Sequence, residues 1–217
     1  IISSYGIFII SYTPYLRINC LFIKLLDRRI IYLKMIINNS IFFPKPLIKT
    51  SQFYHTMKIG IISDTHDNIP NLESAIKILK ENNMEVLIHS GDLCAPFMIN
   101  KLDEIGVPVH VVFGNVDDRA RTSLFAKESK NVTHHGDVAE IELDNQKFAV
   151  VHFPDIAFAL ACTKKYDVVI HGHTHNKREE KVDDTLIINS GNVMGITKEP
   201  SCAIYDTDSK KVNFFEI

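Results

Sequence analysis

Short apolar runs recur along the chain from Met57 onward, and each of them ends in polar residues. Their length and their content of Ile and Val are typical of strands that are buried on both faces of a sheet. Amphipathic segments, such as the one that places Leu72, Ala75, Ile76 and Leu79 on one face, predict helices between them. The predicted buried strands are 58–63, 86–89, 108–113 and 168–170, and the predicted helices are 70–82, 96–104 and 155–165, with a short helix and a loop within 119–131.

Two later segments, 138–143 and 147–151, alternate apolar and polar residues instead. They flank Asp144-Asn145-Gln146, and this spacing predicts a β-hairpin. The tail adds three more short strands, which we place at 185–189, 202–206 and 212–216. Strands that alternate with helices in this way predict an α/β fold.

The candidate chemistry lies where the strands end. His173 and His175 follow the run 168–170, and Asp64 and His66 follow the first predicted strand. Alternate residues of an extended segment point the same way, so we expect each pair to face one point just past its strand. Imidazole and carboxylate groups at such a point can bind a transition metal. One pair alone would be unremarkable, because an Asx turn beside an exposed histidine explains it equally well.

Three further strand ends carry ligand chemistry. Asp92 follows Gly91, which permits close backbone approach, and a carboxylate there can bridge two cations. Asn115 offers a neutral oxygen, although Gly-Asn is also an ordinary turn signal. His152 follows the second strand of the predicted hairpin, whereas His89 lies within its strand and is interpreted as a core residue or as a support for a ligand.

The strand ends together offer two carboxylates, one amide and four imidazoles. Ligands of α/β folds gather at the carboxyl ends of the strands, so we expect these side chains to converge. The set exceeds what one tetrahedral zinc requires and suits two cations that share a bridge. Oxygen and nitrogen donors without thiolate favour Mn, Fe, Ni, Co or Zn over Mg or Ca. The candidate metal ligands are Asp64, His66, Asp92, Asn115, His152, His173 and His175.

Composition fits a globular protein with one domain's worth of core. The 217 residues are 46% hydrophobic and carry a net charge of -2, which does not suggest a nucleic-acid partner. Four scattered cysteines, without a Cys-x-x-Cys pair, predict neither a zinc ribbon nor a disulfide framework. A reducing compartment and hence a cytoplasmic location are expected. Cys94 lies near the Asp92 motif, but a free cysteine is usually a small buried hydrophobe.

Residues 1–56 differ in kind from the rest. They hold seven basic residues and one acid, Asp27, and show no clear periodicity, so no element is predicted there. The longest uncharged stretch, Ile1 to Leu16, is shorter than a membrane span and contains Pro14. We interpret 1–56 as an N-terminal extension, disordered or an over-long gene model, and 57–217 as the functional domain. An organellar targeting peptide and a weak membrane-surface anchor are the alternatives.

The motifs after Met57 resemble those of the calcineurin-like metallophosphoesterases. Asp64-x-His66, Gly91-Asp92, Gly114-Asn115-x-Asp117, His152 and Gly172-His173-x-His175 occur in the order of that superfamily, and the match is nearest to its small bacterial and archaeal phosphodiesterases. The resemblance implies a four-layer α-β-β-α sandwich of two mixed sheets flanked by helices, with a dinuclear metal site at the carboxyl ends of the strands. It also implies a metal-dependent phosphodiesterase acting on a small phosphodiester, in which a hydroxide that bridges two divalent ions attacks phosphorus.

Carried over by position, the resemblance assigns the ligands to two ions and names the catalytic residues. Mn²⁺ is the favoured ion, with Ni²⁺, Fe²⁺, Co²⁺ and Zn²⁺ as alternatives. One ion would take Asp64, His66 and His175, and the other would take Asn115, His152 and His173; Asp92 would bridge them, and Asp92, Asn115 and Asp117 would be catalytic.

One position departs from the commonest family pattern. Val116 stands where many members have a histidine that protonates the leaving alcohol, and the small phosphodiesterase branch often lacks that histidine too. The general acid is therefore unassigned, with His134 and His135 as candidates. A non-catalytic scaffold resembling the retromer subunit of the superfamily is the alternative function, and exposed apolar residues in the tail strands are compatible with a homodimer.

Overall fold

The computed structural model describes residues 56–217 and, before them, the backbone of the strands at 6–7, 18–26, 29–37 and 40–42. The chain divides into two compact units, Ile1–Tyr54 and His55–Ile217. The described helices are too short or too polar to cross a bilayer.

The first unit contains a four-stranded antiparallel sheet. Its strands pair in chain order: β1 (Gly6–Ile7), β2 (Ile18–Leu26), β3 (Arg29–Ile37) and β4 (Ser40–Phe42). The sequence analysis predicted no element here, because apolar residues follow one another without the alternation that marks a strand. The remainder of 1–55, including most of Ile1 to Leu16, lies outside the described residues, so the interpretation of the segment as an extension stays a prediction.

The second unit has a six-stranded sheet at its centre. Four parallel strands, β5 (Lys58–Ile62), β6 (Val86–His89), β7 (Val109–Val111) and β8 (Val132–His134), lie side by side in that order. Beyond β5 the antiparallel strands β14 (Ser201–Asp206) and β15 (Lys211–Glu216) complete the sheet. The sheet is therefore mixed, with four strand ends of the parallel set along one edge.

A five-stranded mixed sheet of the same unit packs against the six-stranded sheet. Its strands are β9 (Val138–Leu143), β10 (Gln146–Val151), β11 (Val168–Ile170), β12 (Lys177–Val182) and β13 (Thr185–Ser190). Their order in the sheet is β12-β13-β11-β10-β9, with β10, β11 and β13 parallel to one another and the two edge strands antiparallel.

Helices cover the outer faces of both sheets. The helices α1 (Ile69–Glu81), α2 (Met98–Asp103) and α3 (Arg119–Glu128) contribute to one apolar cluster with the six-stranded sheet, and α4 (Pro154–Cys162) packs on the five-stranded sheet. A separate cluster, with Ile61, Phe148 and Tyr205 among its members, lies between the sheets. Successive residues of one strand point to opposite faces of the sheet and enter different clusters. Val150 belongs to the cluster between the sheets, and Val151 belongs to the cluster under α4. The predicted four-layer sandwich is confirmed.

Every element predicted after Met57 is present, with ends that differ by at most three residues. Two strands were missed. β12 reads Lys-Arg-Glu-Glu-Lys-Val and has almost no apolar residue, which suits a solvent-exposed edge strand that must resist pairing with other chains. β8 was missed because it has only three residues, too few to show a hydrophobic pattern, and directly follows the segment predicted as helix and loop.

The tail strands do not expose their apolar residues as expected. β14 is buried through five of its six residues. Val212 and Phe214 of β15 are partly buried against the cluster between the sheets, and Phe215 packs against the cluster under α1. The premise on which the homodimer rested is therefore wrong.

Candidate metal centre

The loops after β5 and β11 place ligand side chains through left-handed residues. The strands end at Ile62 and Ile170, and φ is then positive at Asp64 (52°), His66 (41°), His173 (69°) and His175 (58°). The expectation that each pair lies on an extended segment is wrong. A left-handed conformation is costly for a residue with a Cβ, so the surrounding contacts must hold these residues in place.

Those contacts join the loops to one another. The backbone N–H of Asp64 donates to the carbonyl of Gly91 (3.0 Å), and the N–H of His66 donates to the carbonyl of Asp92 (3.1 Å). The N–H of His173 donates to the Asp64 carboxylate, 3.1 Å from Oδ2. Three loops that are distant in sequence are thus fixed as one unit.

Asp64, His66 and His175 form the first group of candidate ligands. Their ligand atoms all lie within 4.8 Å of one another, and His175 Nε2 is 3.3 Å from Asp64 Oδ1. Asp64 is fully buried, whereas the two histidines are partly open to solvent. These are the three residues that the resemblance assigned to one ion.

Asn115, His152 and His173 form the second group. The Oδ1 atom of Asn115 lies 3.0 Å from His152 Nε2 and 2.9 Å from His173 Nδ1, and the two nitrogens are 3.3 Å apart. An amide oxygen and two imidazole nitrogens therefore converge on one point, as a set of metal ligands does.

Asp92 connects the two groups. Its Oδ2 atom is 3.5 Å from His66 Nε2 in the first group and 3.4 Å from His152 Nε2 in the second. Its other oxygen, Oδ1, accepts the backbone N–H of Val116 at 3.1 Å. The structure thus brings together all seven candidate ligands, with a carboxylate at the junction.

The ring orientation of three histidines is fixed at the nitrogen that faces away from the cluster. His66 Nδ1 lies 3.4 Å from Cys94 Sγ, His152 Nδ1 lies 2.9 Å from the carbonyl oxygen of Ser90, and His175 Nδ1 lies 3.2 Å from Thr197 Oγ1. Such partners select the tautomer that leaves Nε2 free to bind a metal. The sequence analysis noted Cys94 only for its proximity and did not identify Ser90 or Thr197, since no local pattern marks these contacts.

Two glycines in the ligand loops leave no room for a side chain. A Cβ on Gly114 would lie 2.0 Å from Asp92 Oδ1, and a Cβ on Gly172 would lie 2.0 Å from Ser63 Oγ and 2.8 Å from Asp64 Oδ2. The glycines are therefore required for the close approach of the loops that carry Asp64 and Asp92.

Asp117 lies beside the cluster and holds backbone groups. Its Oδ2 accepts the N–H of Gly114 (2.6 Å) and of Asp92 (3.2 Å), and its Oδ1 accepts the N–H of Cys94 (2.8 Å). The side chain therefore ties the loop after β6 to the loop after β7.

The other histidines singled out in the sequence lie elsewhere. His89 is fully buried, with Nε2 3.1 Å from Thr65 Oγ1 and Nδ1 accepting the N–H of Gly91, which fits the interpretation as a supporting residue. His135 pairs with His110 at 2.9 Å, and His134 packs against a phenylalanine ring. Neither candidate acid contacts the seven ligands.

Burial and charge shift the acidity of the ligands in opposite directions. Burial raises the pKa of Asp64 to about 6. Burial also acts to raise the pKa of Asp92, but the hydrogen bond and the charge of His152 outweigh it and hold the pKa below its ordinary value. The same pair of effects acts on His152: burial lowers its pKa, but the hydrogen bond to Asp92 and the charge of that carboxylate raise it to a value above the ordinary one.

These residues fit divalent cations. Five of the seven are buried or partly buried, and His66 Nε2 is a buried atom without a hydrogen-bond partner in the described part of the chain. Lone pairs of imidazole, amide and carboxylate that face one another are costly to bury unless a cation or protons lie among them. The donor set defines a metal-binding α/β protein with a cluster of metal ligands at the strand ends.

Comparison with known proteins identifies the family. The model of the calcineurin-like phosphoesterase superfamily domain matches residues 57–210, and the chain belongs to this family. The family assignment confirms the resemblance seen in the sequence and the predicted class of enzyme, a phosphoric ester hydrolase.

Similar proteins of known name come from archaea. A phosphodiesterase of Methanocaldococcus jannaschii is 37% identical over 159 residues, which cover 71% of this chain and 96% of that protein. A probable metallophosphoesterase of Methanothermobacter thermautotrophicus is 32% identical over 168 residues, covering 72% and 90%.

Solved structures share the fold. An archaeal phosphodiesterase superposes with a TM-score of 0.69 at 35% identity, covering 74% of this chain and all of that one. Vacuolar protein sorting 29 of Cryptosporidium parvum superposes with a TM-score of 0.53 at 18% identity, covering 75% and 97%. The second likeness shows the fold alone.

Proposed function

We propose that this protein is a metal-dependent phosphodiesterase in which a hydroxide that bridges two divalent transition-metal ions attacks the phosphorus of a small phosphodiester. One observation carries the proposal: two adjacent three-residue groups of candidate metal ligands meet at the single carboxylate of Asp92. The archaeal relatives named phosphodiesterase and metallophosphoesterase support the same reaction class.

The two groups would hold one ion each. Asp64, His66 and His175 supply one carboxylate and two imidazoles to the first, and Asn115, His152 and His173 supply one amide and two imidazoles to the second. Asp92 would be shared. This set of nitrogen and oxygen donors suits Mn²⁺, which we propose as the native ion.

Two divalent ions would supply positive charge for the phosphoryl oxygens and would lower the pKa of water so that hydroxide forms near neutral pH. The protein's own contribution is to hold the donors in place before substrate arrives. His152 and His66 are oriented by Ser90 and Cys94, and the Asp92 carboxylate is oriented by the N–H of Val116. We assign Asp117 as a positioning residue, because its oxygens accept the backbone N–H groups of Asp92, Cys94 and Gly114.

No side chain beside the cluster is assigned as a proton donor. Val116 occupies the position of the family's histidine, and its side chain is exposed and apolar. A missing general acid costs about 10²- to 10⁴-fold on a poor leaving group and much less on an aryl leaving group. We therefore predict faster hydrolysis of nitrophenyl esters than of alkyl esters. Equal rates on matched nitrophenyl and methyl diesters would show that another acid is in place.

The test is hydrolysis of bis-nitrophenyl phosphate by the full chain, stripped with chelator and then titrated with Mn²⁺. We expect activity to return with the metal and to be lost by at least 100-fold in Asp92→Asn, because the neutral amide cannot bridge two cations as a carboxylate does. Asp208→Asn, the same change on an exposed turn, is the matched control and should keep full activity. Binding of two Mn²⁺ per chain, measured by calorimetry, checks the dinuclear site.

Two outcomes would point elsewhere. If Mn²⁺ binds but no ester is cleaved, the scaffold function gains support. If no metal binds, the assignment of the cluster is wrong. A cytoplasmic location remains part of the proposal, and it rests on the scattered cysteines alone.

A further inference from the structure

Exposed apolar side chains stand beside the metal-ligand cluster. Phe153 directly follows His152 and is 39% exposed, with its ring centroid 5.2 Å from that of His152 and 5.0 Å from that of His173. Val116 directly follows Asn115 and is 45% exposed. Asn115 and His152, two of the three ligands in the second group, are thus each followed directly by an exposed apolar side chain.

The Phe153 ring is held in position. It meets the rings of His152 and His173 edge-on, at interplanar angles of 76° and 61°, and these rings are themselves fixed by contacts with Ser90 and Asn115. A ring that is ordered before a ligand binds loses little conformational entropy when the ligand arrives. Its exposed part is therefore a preorganised surface for another apolar group.

The candidate ligands have no basic partner among the described residues. Within residues 56–217, no lysine or arginine forms a hydrogen bond or an ion pair with any of the seven candidate ligands. The exposed side chains that directly follow Asn115 and His152 are apolar instead.

We infer that one ester group of the substrate is aromatic and packs against the Phe153 ring, with Val116 continuing the apolar surface. The inference rests on the proposed function and specifies its substrate class: aryl or nucleobase-bearing phosphodiesters. Aromatic pairs favour edge-to-face or offset contacts at centroid distances of about 4.5–7 Å. The Phe153 ring lies 5.2 Å from that of His152 and 5.0 Å from that of His173, so an ester substituent of a phosphoryl group bound at the ion that these residues would hold is within reach of it.

The test compares two phosphonates that differ only in the apolar group. Phenylphosphonate and methylphosphonate are titrated by calorimetry into the full chain loaded with Mn²⁺. We expect phenylphosphonate to bind about 3- to 10-fold more tightly, and we expect this ratio to fall to about 1 in Phe153→Ala, with the affinity for methylphosphonate unchanged. Phe153→Leu keeps apolar volume without the aromatic ring and should give an intermediate ratio.

Phe158→Ala is the matched control. Phe158 lies on α4, the helix that begins directly after Phe153, and is 48% exposed, but it has no ring contact with the ligand histidines, so the ratio should stay at the value of the unchanged chain. Equal binding of the two phosphonates to the unchanged chain, or the same ratio in Phe153→Ala, would overturn the inference while the proposed hydrolysis stands. If neither phosphonate binds and bis-nitrophenyl phosphate is not cleaved, both the inference and the proposed function fail.

Discussion

The contact between Gly114 and Asp92 offers the sharpest test of the metal centre. In Gly114→Ala the new Cβ would lie 2.0 Å from Asp92 Oδ1 and 2.3 Å from Asp92 N, well inside the 3.0 Å that real Cβ contacts respect. Rotation of the carboxylate cannot relieve the contact with the backbone nitrogen. The loop that carries Asp92 must therefore move by about 1 Å, a displacement that can cost about 100-fold in catalysis.

The expected result is a protein that folds but binds metal poorly. Overpacking typically costs about 1–3 kcal/mol, which a domain of ordinary stability tolerates. We expect the dissociation constant for Mn²⁺, measured by calorimetry, to rise about 10- to 100-fold. Urea unfolding measures the accompanying change in the free energy of unfolding. Unchanged Mn²⁺ affinity would refute the idea that the close approach of these loops positions Asp92.

Gly136→Ala is the control for this substitution. A Cβ on Gly136 meets no atom within 4 Å, but φ is +80°, so alanine is strained there without touching a ligand. The variant should lose about 1 kcal/mol of stability and keep its Mn²⁺ affinity. A fall in metal affinity in this control would mean that general destabilisation, not displacement of Asp92, explains the result for Gly114→Ala.

Two further predictions concern stability away from the metal centre. Burial and the neighbouring His135 lower the pKa of His110 to about 4, so stability is fully present above the ordinary value of 6.5 and is lost as the pH falls toward 4. Between pH 7 and pH 5, the free energy of unfolding should therefore fall by about 1–2 kcal/mol less in His110→Gln than in the unchanged chain, as measured by urea unfolding. An identical pH dependence in both proteins would contradict the assignment of this loss to His110. Tyr205→Phe removes the hydroxyl that donates to Gln146 Oε1 at 2.6 Å and leaves a buried acceptor unpaired, so the free energy of unfolding should fall by about 1–3 kcal/mol. Unchanged stability would indicate that water replaces the hydroxyl.

The sequence predicted the fold well where hydrophobic pattern and burial agree. The four central strands of the two sheets are mostly apolar because both of their faces are covered, and they were found within a few residues of their true ends. β12 could not be found in this way, since an edge strand needs no apolar face when its backbone pairs with β13 on one side and its charges meet water on the other. The pattern reports burial, and it fails for strands that are not buried.

The candidate site was predicted for a reason that is partly wrong. Topology brings the strand ends together, as expected, but Asp64, His66, His173 and His175 reach the cluster through left-handed turns and not through alternation along a strand. Residue spacing of two is compatible with both geometries. Strain of this kind is hard to read from one sequence because contacts from distant loops, not local preference, select it.

The same dependence on distant contacts decides which atom of each histidine faces the cluster. His66, His152 and His175 present Nε2 because a partner holds Nδ1, whereas His173 presents Nδ1 itself to Asn115. The partners lie far from the histidines in sequence, at separations from 22 to 62 residues for Thr197, Cys94 and Ser90. Residue types at strand ends could therefore indicate a metal site, but the geometry that sets its ion and its reactivity follows only from the assembled loops.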